Sequence, residues 1–217
     1  MNLQEKYNFD YIQNNGLLLF KCISGSQAYG TNTDSSDLDI KGVFICESDD
    51  LFGFKDVPSE IADDRQDCKY YEIGTFIKLL KKANPNILEM VANDQENILF
   101  CLHLFERYIL NNQNLFLSKL CRETFANYAI NQIKKTKGLN NHMTKDKKDY
   151  KNMNHTIRLL NTCLDLFKTG KIIVKRPEHE LLLEIRNGKY SYNEILAMAE
   201  GALKNGRGFK NSSKRPL

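Results

Sequence analysis

Ile23-Ser-Gly-Ser-Gln-Ala-Tyr-Gly-Thr-Asn-Thr-Asp-Ser-Ser-Asp-Leu-Asp-Ile-Lys-Gly-Val-Phe-Ile45 is the stretch around which the chain is organised. The apolar run Leu17 to Ile23 leads into it and stops at Gly25 and Ser26. A polar, turn-rich segment follows, and then Asp37 and Asp39 open a second apolar run. This pattern predicts strand, small-residue turn, short helix and strand. Residues two apart in a strand share a face, so Asp37 and Asp39 are expected to present two carboxylates together. Carboxylates held that close repel unless a cation lies between them. Mg²⁺ suits the position, because it takes hard oxygen ligands and is commonly shared between one or two carboxylates and substrate phosphates. Gly25-Ser26 supplies the other half of a site: glycine lets backbone approach a ligand closely, and N–H groups at a helix start attract phosphate. Together they describe a place for a metal-bound nucleoside triphosphate. An Asp- and Ser-rich hairpin turn is the competing reading of the same residues.

With 217 residues the chain is long enough for one sizeable core, or for two small domains that share one. Its 41% hydrophobic and 27% charged content is that of an ordinary globular protein. The net charge of +4 permits contact with a polyanion without demanding it. No apolar stretch reaches membrane-spanning length, and residues 1–20 lack the basic start and apolar block of a secretion signal. The six cysteines are scattered, with no Cys-x-x-Cys pair, which argues against a zinc site or disulfide framework and for a reducing cytoplasm.

Working outward, residues 3–14 are expected to form one amphipathic helix through Leu3, Tyr7 and Tyr11, ended by Gly16. Leu17–Ser24 and Asp39–Cys46 are the first two strands. Residues 47–64 are acidic and irregular, and a solvated connection is the favoured reading over a cover for the site. Asp67–Tyr71 makes a short third strand before a helix over 72–82, and Asn84-Pro85 caps another. Beyond Asn93 the periodicity is helical over 94–110, 115–137, 150–169, 178–186 and 191–204, with Ser191-x-x-Glu194 as a capping box. The Lys-rich segment between Lys134 and Lys151 is expected to be an exposed loop, and 205–217 a flexible basic tail. On the helix from Tyr150, the stripe Ile157, Leu160, Leu164 and Phe167 is expected to be buried. Lys151, His155 and Arg158 then form a cationic row on another face, either plain surface or a counter-charge for phosphate.

Gly25-Ser26 followed by Asp37-x-Asp39 resembles the nucleotidyltransferase superfamily that includes DNA polymerase beta. The fuller string Gly25-Ser-x-Ala-Tyr-Gly-Thr-x-Thr-x-x-Ser36-Asp-Leu-Asp-Ile-Lys-Gly-Val43 is similar to one branch, the predicted nucleotidyltransferases of phages and bacteria grouped with RNA-repair systems. Asn84-Pro-x-x-Leu-Glu89, Lys151-x-x-x-His155-x-x-Arg158, and the segment from Gly170 to Gly188 carry the likeness across residues 20–205. Lys41 departs from the commoner Arg and Gln27 from the commoner His, which bears on substrate preference.

The resemblance implies an α+β fold: a small mixed sheet with helices over 1–93, an all-helical domain over 94–205 closing a cleft, and a tail over 206–217. It implies two Mg²⁺ ions, or Mn²⁺ in their place, held by Asp37, Asp39 and a third carboxylate from a neighbouring strand. Asp67 is assigned that place, with Glu72 as the competitor, since Glu72 also fits the first turn of the following helix. Gly25, Ser26, Tyr29, Ser36, Lys41, Lys151, His155 and Arg158 are the implied nucleotide-binding residues. Glu89 is marked by the resemblance alone. The implied activity is transfer of a nucleoside monophosphate from a nucleoside triphosphate such as ATP to an acceptor hydroxyl, with RNA as the first choice. A protein or small-molecule acceptor is the alternative, as is a nucleotide- or RNA-binding module without turnover.

Overall fold

Leu18–Ile23 forms β1 because a nearly unbroken apolar run can be buried on both sides, and its burial alternates from Leu18 through Phe20 to Cys22. The computed structural model describes residues 3–53, 56–63, 65, 67–118, 120–121, 123–125, 127–128, 131 and 147–210, with 147–149 and 203–210 as backbone alone. The chain divides into two compact units, Met1–Phe116 and Leu117–Leu217.

In the first unit the elements run α1 (Leu3–Lys6), α2 (Phe9–Asn14), β1, α3 (Gly25–Tyr29), β2 (Ile40–Phe44), α4 (Ser48–Phe52) and β3 (Glu60–Asp63). They continue with β4 (Cys68–Glu72), α5 (Ile73–Lys81), α6 (Pro85–Val91), β5 (Ile98–Cys101) and α7 (His103–Tyr108). Among the described residues the strands form one sheet in the order β3-β4-β2-β1-β5. β1 is antiparallel to both β2 and β5, and β2 is parallel to β4, so the sheet is mixed and the fold is α+β as expected. Val43 and Phe44 are successive and both 0% exposed, so both faces of the sheet are covered. Phe44 and Tyr70 pack under α1 and α2 through Tyr7 and Ile12. On the other face Phe20 stacks on Phe105 at 5.0 Å, with Phe76 beside it.

Three expectations need correction here. Residues 3–14 are two helices, broken at Asn8, whose side chain accepts from the Tyr11 N–H at 2.9 Å and caps α2. The 47–64 segment holds α4 and the edge strand β3, and it is fastened rather than loose. The Tyr7 hydroxyl donates to buried Asp50 at 2.7 Å and accepts from the Glu47 N–H at 2.9 Å, while Lys6 pairs with both carboxylates. Lys6 and Tyr11 hydrogen bonds hold the Glu47 carboxyl below its ordinary range. Within 94–110, Ile98–Cys101 is a strand that completes the sheet beside β1, not helix.

The second unit contains α8 (Lys147–Thr169), with α9 (His179–Arg186) and α10 (Tyr192–Lys210) packed on it. The Ser191–Glu194 capping box forms: the Ser191 N–H and hydroxyl both donate to Glu194 at 2.7 Å. Of the expected helix over 115–137, Leu115 and Phe116 lie in a 3-10 turn, 117–118 are irregular, and the described positions 120–121, 123–125, 127–128 and 131 are helical. The rest of it and the Lys-rich loop up to 146 lie outside the described residues, and 147–151 belong to α8. The expected tail is helical through Lys210; 211–217 lie outside the described residues. Ile157 and Leu160 are buried as expected, but Leu164 and Phe167 are half-exposed, and Cys163 and Leu166 are buried in their place. No helix among the described residues is long and apolar enough to cross a membrane.

Candidate active site

The end of β1 and the starts of β2 and β4, the three interior strands, lie side by side at one end of the sheet. The register Ile23↔Ile40 of β1 and β2 extends one residue further, because the Ser24 N–H donates to the Asp39 carbonyl at 2.8 Å. On the other side of β2 the register Ile40↔Cys68 is led in by the Ile40 N–H donating to the Asp67 carbonyl at 2.9 Å. Asp39 is therefore flanked by Ser24 at the end of β1 and by Asp67 at the start of β4. The sequence reached this arrangement only in part. Its Gly-Ser turn and carboxylate pair are neighbours, and the assigned third carboxylate sits one strand away.

Gly25 carries the tightest local constraint. Its φ is +64°, and a Cβ built on it would lie 1.8 Å from Asp39 Oδ2. The Asp39 carboxylate thus lies over the Gly25 backbone, and glycine is required for space as well as for conformation. α3 has only five residues, so close approach rather than a helix dipole is what this turn offers a ligand. After Gly30 (φ +71°) the Thr31 N–H returns to the Ser26 carbonyl at 2.9 Å. The Ser36 hydroxyl accepts from the Thr33 N–H at 2.8 Å and closes the turn that delivers Asp37. Asp37 is exposed, and the strand proper starts three residues later, so both carboxylates stand on the lead-in to β2.

The other named residues take distinct places. Tyr29 donates its hydroxyl to Glu89 at 2.9 Å, and Glu89 is buried, which ties the end of α3 to α6. Lys41 lies opposite Cys22 on one side and Lys69 on the other, two residues along β2 from Asp39. Lys69 also reaches Glu60 at 2.7 Å. Burial pushes the Cys22 thiol up to about 11, against opposing effects of Asn93 and Lys41. Glu72 is buried and accepts from the Gly74 and Thr75 N–H groups at 2.7 and 3.1 Å. It is the cap of α5, whereas Asp67 is exposed, with a left-handed φ of +46°. Two residues escaped the sequence reading: Asn93, which donates to the Ile23 carbonyl at 2.7 Å, and Ser24. No local pattern marks either, because each owes its place to pairing between distant segments.

In the second unit Lys151 is exposed and His155 half-exposed, but Arg158 is only 1% exposed. Of the expected cationic row, Arg158 is therefore not plain surface. Arg158 Nη2 stands 3.4 Å from His155 Nδ1, and since arginine can only donate, that nitrogen accepts. Tyr128 meets the same imidazole edge to face at 5.9 Å. Arg176 is buried with Asp165 and Glu178 at 2.6 and 2.9 Å. Burial pushes the Glu178 carboxyl up, but Arg176, the Asn161 hydrogen bond and a backbone hydrogen bond together pull it down, and the net direction is down.

Among the described residues no three acidic, histidine or cysteine side chains converge tightly enough to enclose a metal ion. The donor chemistry nonetheless fits Mg²⁺. Asp37 and Asp39 offer hard carboxylate oxygens at an accessible edge, and Mg²⁺ characteristically takes one or two carboxylates and completes its shell with water and substrate phosphate.

A model of the RNA repair pathway DNA polymerase beta family matches residues 3–204. The chain belongs to that family. The family description points to a DNA polymerase beta-like nucleotidyltransferase. Among curated relatives, the uncharacterized protein YcgL of Bacillus subtilis is 29% identical over 80 residues, which is 36% of this chain and 31% of that one. The match thus spans about a third of the relative's length. Among solved structures, a nucleotidyltransferase-like protein from Exiguobacterium sibiricum aligns over 97% of this chain and 75% of its own, at 12% identity and a TM-score of 0.33.

Proposed function

We infer that this chain transfers a nucleoside monophosphate from a nucleoside triphosphate to an acceptor hydroxyl, with RNA as the acceptor. The observation that carries the reading is the seating of the Asp39 carboxylate against the Gly25 backbone, which brings the second aspartate of the pair onto the Gly-Ser turn. Asp37 and Asp39 would hold Mg²⁺, with Asp67 as the third carboxylate. Bound there, the metal would supply charge neutralisation for the triphosphate and a lowered pKa for the attacking hydroxyl. The acceptor hydroxyl gives up its proton to solvent as its oxygen bonds to the α-phosphorus, the bond to the β-phosphate oxygen breaks, and pyrophosphate leaves. The chain's own part is positioning: Gly25-Ser26 admits the phosphates, Asn93 fixes the end of β1 beneath them, and Tyr29 anchors α3 through Glu89. Lys41 is the nearby cation on the same strand as Asp39 and meets phosphate charge.

RNA is favoured as acceptor by the description of the family and by the net charge of +4. Incubation with α-labelled nucleoside triphosphates, Mg²⁺ and total RNA should leave label on RNA. Label on protein or on small molecules alone would move the acceptor to that class.

A further inference from the structure

Among the described residues, the Ser24 and Tyr192 hydroxyls are the buried side-chain oxygens left without a hydrogen-bond partner. Tyr192 borders an apolar cavity of the second unit with Met153, Ile157 and Ile195, where no ionic group calls for it. Ser24 lies at the strand end that flanks Asp39. Its backbone has the extended geometry of a helix cap (φ −134°, ψ −166°), yet its side chain makes no capping bond to α3. A serine there ordinarily caps, and a buried hydroxyl with no partner carries a desolvation cost that a helix cap or an alanine would avoid. Such a group calls for a functional explanation.

We propose that the Ser24 hydroxyl is a positioning group for the Asp39 carboxylate, donating to it when that carboxylate holds a divalent cation. The proposal rests on the assignment of Asp39 as a metal ligand. Ser24 stands directly opposite Asp39 across the antiparallel ladder, through the 2.8 Å bond from its N–H to the Asp39 carbonyl. Opposed residues put their side chains on the same face with Cβ atoms about 5 Å apart, a span that a serine Oγ and an aspartate Oδ bridge by rotation about χ1. The Asp39 side chain already leans toward β1, since its Oδ2 lies over Gly25, the next residue after Ser24. Direct contact between Ser24 and substrate is disfavoured by its burial: the residue is 7% exposed, and its hydroxyl is shut off from solvent. A metal-ligating carboxylate is typically held by a hydrogen bond of this kind, and losing the partner weakens metal binding by about 10- to 100-fold.

The test is Mn²⁺ titration of the full chain without nucleotide, following free Mn²⁺ by electron paramagnetic resonance, for wild type, Ser24→Ala, Ser24→Thr and Asp39→Asn. Melting temperatures of the metal-free proteins accompany the titrations. Ser24→Ala is expected to bind Mn²⁺ at least about 10-fold more weakly, with a metal-free melting temperature equal to or above wild type. Ser24→Thr, which keeps the hydroxyl, is expected to bind close to wild type. Ser24→Ala binding as tightly as wild type overturns the proposal. So does a lowered metal-free melting temperature, which would make the hydroxyl a structural bond. Asp39→Asn separates the two levels: if it abolishes binding while Ser24→Ala does not, only the role of Ser24 falls. If Asp39→Asn binds as wild type does, the metal assignment falls and takes this proposal with it.

Discussion

Gly25→Ala probes the contact on which the site depends, and Gly16→Ala is its matched control. Both glycines have nearly the same left-handed φ, +64° and +66°, but a Cβ at Gly16 meets nothing within 4 Å, while one at Gly25 lies 1.8 Å from Asp39 Oδ2. Each substitution carries the left-handed penalty of about 1–2 kcal/mol. In a chain of this length that lowers the melting temperature by about 2–4 °C per kcal/mol. Gly25→Ala must in addition displace the carboxylate or the turn, an overpacking cost of about 1–3 kcal/mol. The functional consequence is larger still, because a reacting group misplaced by about 1 Å loses about 100-fold in rate. Thermal melts and single-turnover nucleotide transfer on both variants supply the readout. Gly16→Ala should melt lower at wild-type rate, and Gly25→Ala should melt lower again and lose transfer. Equal melts and equal rates in the two variants would refute the seating of Asp39 on Gly25.

Asp67→Asn is expected to cut transfer with little change in stability. Glu72→Ala should cost about 0.5–2 kcal/mol through loss of the α5 cap, which paired melts and rate measurements distinguish. Arg158→Ala should lower the melting temperature, since Arg158 is buried against His155; an unchanged melt would return it to the surface. Arg176→Ala leaves Asp165 and Glu178 facing a buried gap and is expected to destabilise the second unit by about 3 kcal/mol by denaturant titration. The pH dependence follows from Glu178, whose folded pKa lies below its ordinary 4.5. Its stabilisation is present above pH 4.5 and is lost as pH falls through the folded value. Glu178→Gln should therefore flatten the acid limb of stability against pH, and an unaltered limb would contradict the pairing.

Strands β1 and β2 are legible as apolar runs bounded by turn residues, β4 as a short tyrosine-containing run between Asp67 and the following helix, and the caps at Asn84 and Ser191 because capping is local chemistry. β5 was misread because Ile98-Leu-Phe-Cys101 is a short apolar run, which periodicity alone cannot assign to helix or strand. Pairing with β1 decides it. β3 was hidden for a related reason: Glu60-Ile-Ala-Asp63 is a short polar edge that becomes a strand only beside β4. At the site, Gly25, Asp37 and Asp39 stood out because their spacing is local. Ser24 and Asn93 did not, because their roles depend on the Asp39 and Ile23 backbones, the latter 70 residues away from Asn93. Arg158 shows the limit of a helical wheel, which separates charged from apolar faces but cannot tell that α9 and α10 both pack on α8.

The central claim, that Asp39 beside Gly25 serves nucleotide transfer, is tested most directly by following the two ends of a labelled nucleoside triphosphate. Wild type and Asp39→Asn would be incubated with Mg²⁺, RNA and nucleotide labelled at either the α- or the γ-phosphate. In wild type, α-label is expected to enter RNA and γ-label to leave as pyrophosphate in equal amounts, with both lost in Asp39→Asn. Transfer of γ-label to the acceptor, or undiminished α-label transfer by Asp39→Asn, would contradict it.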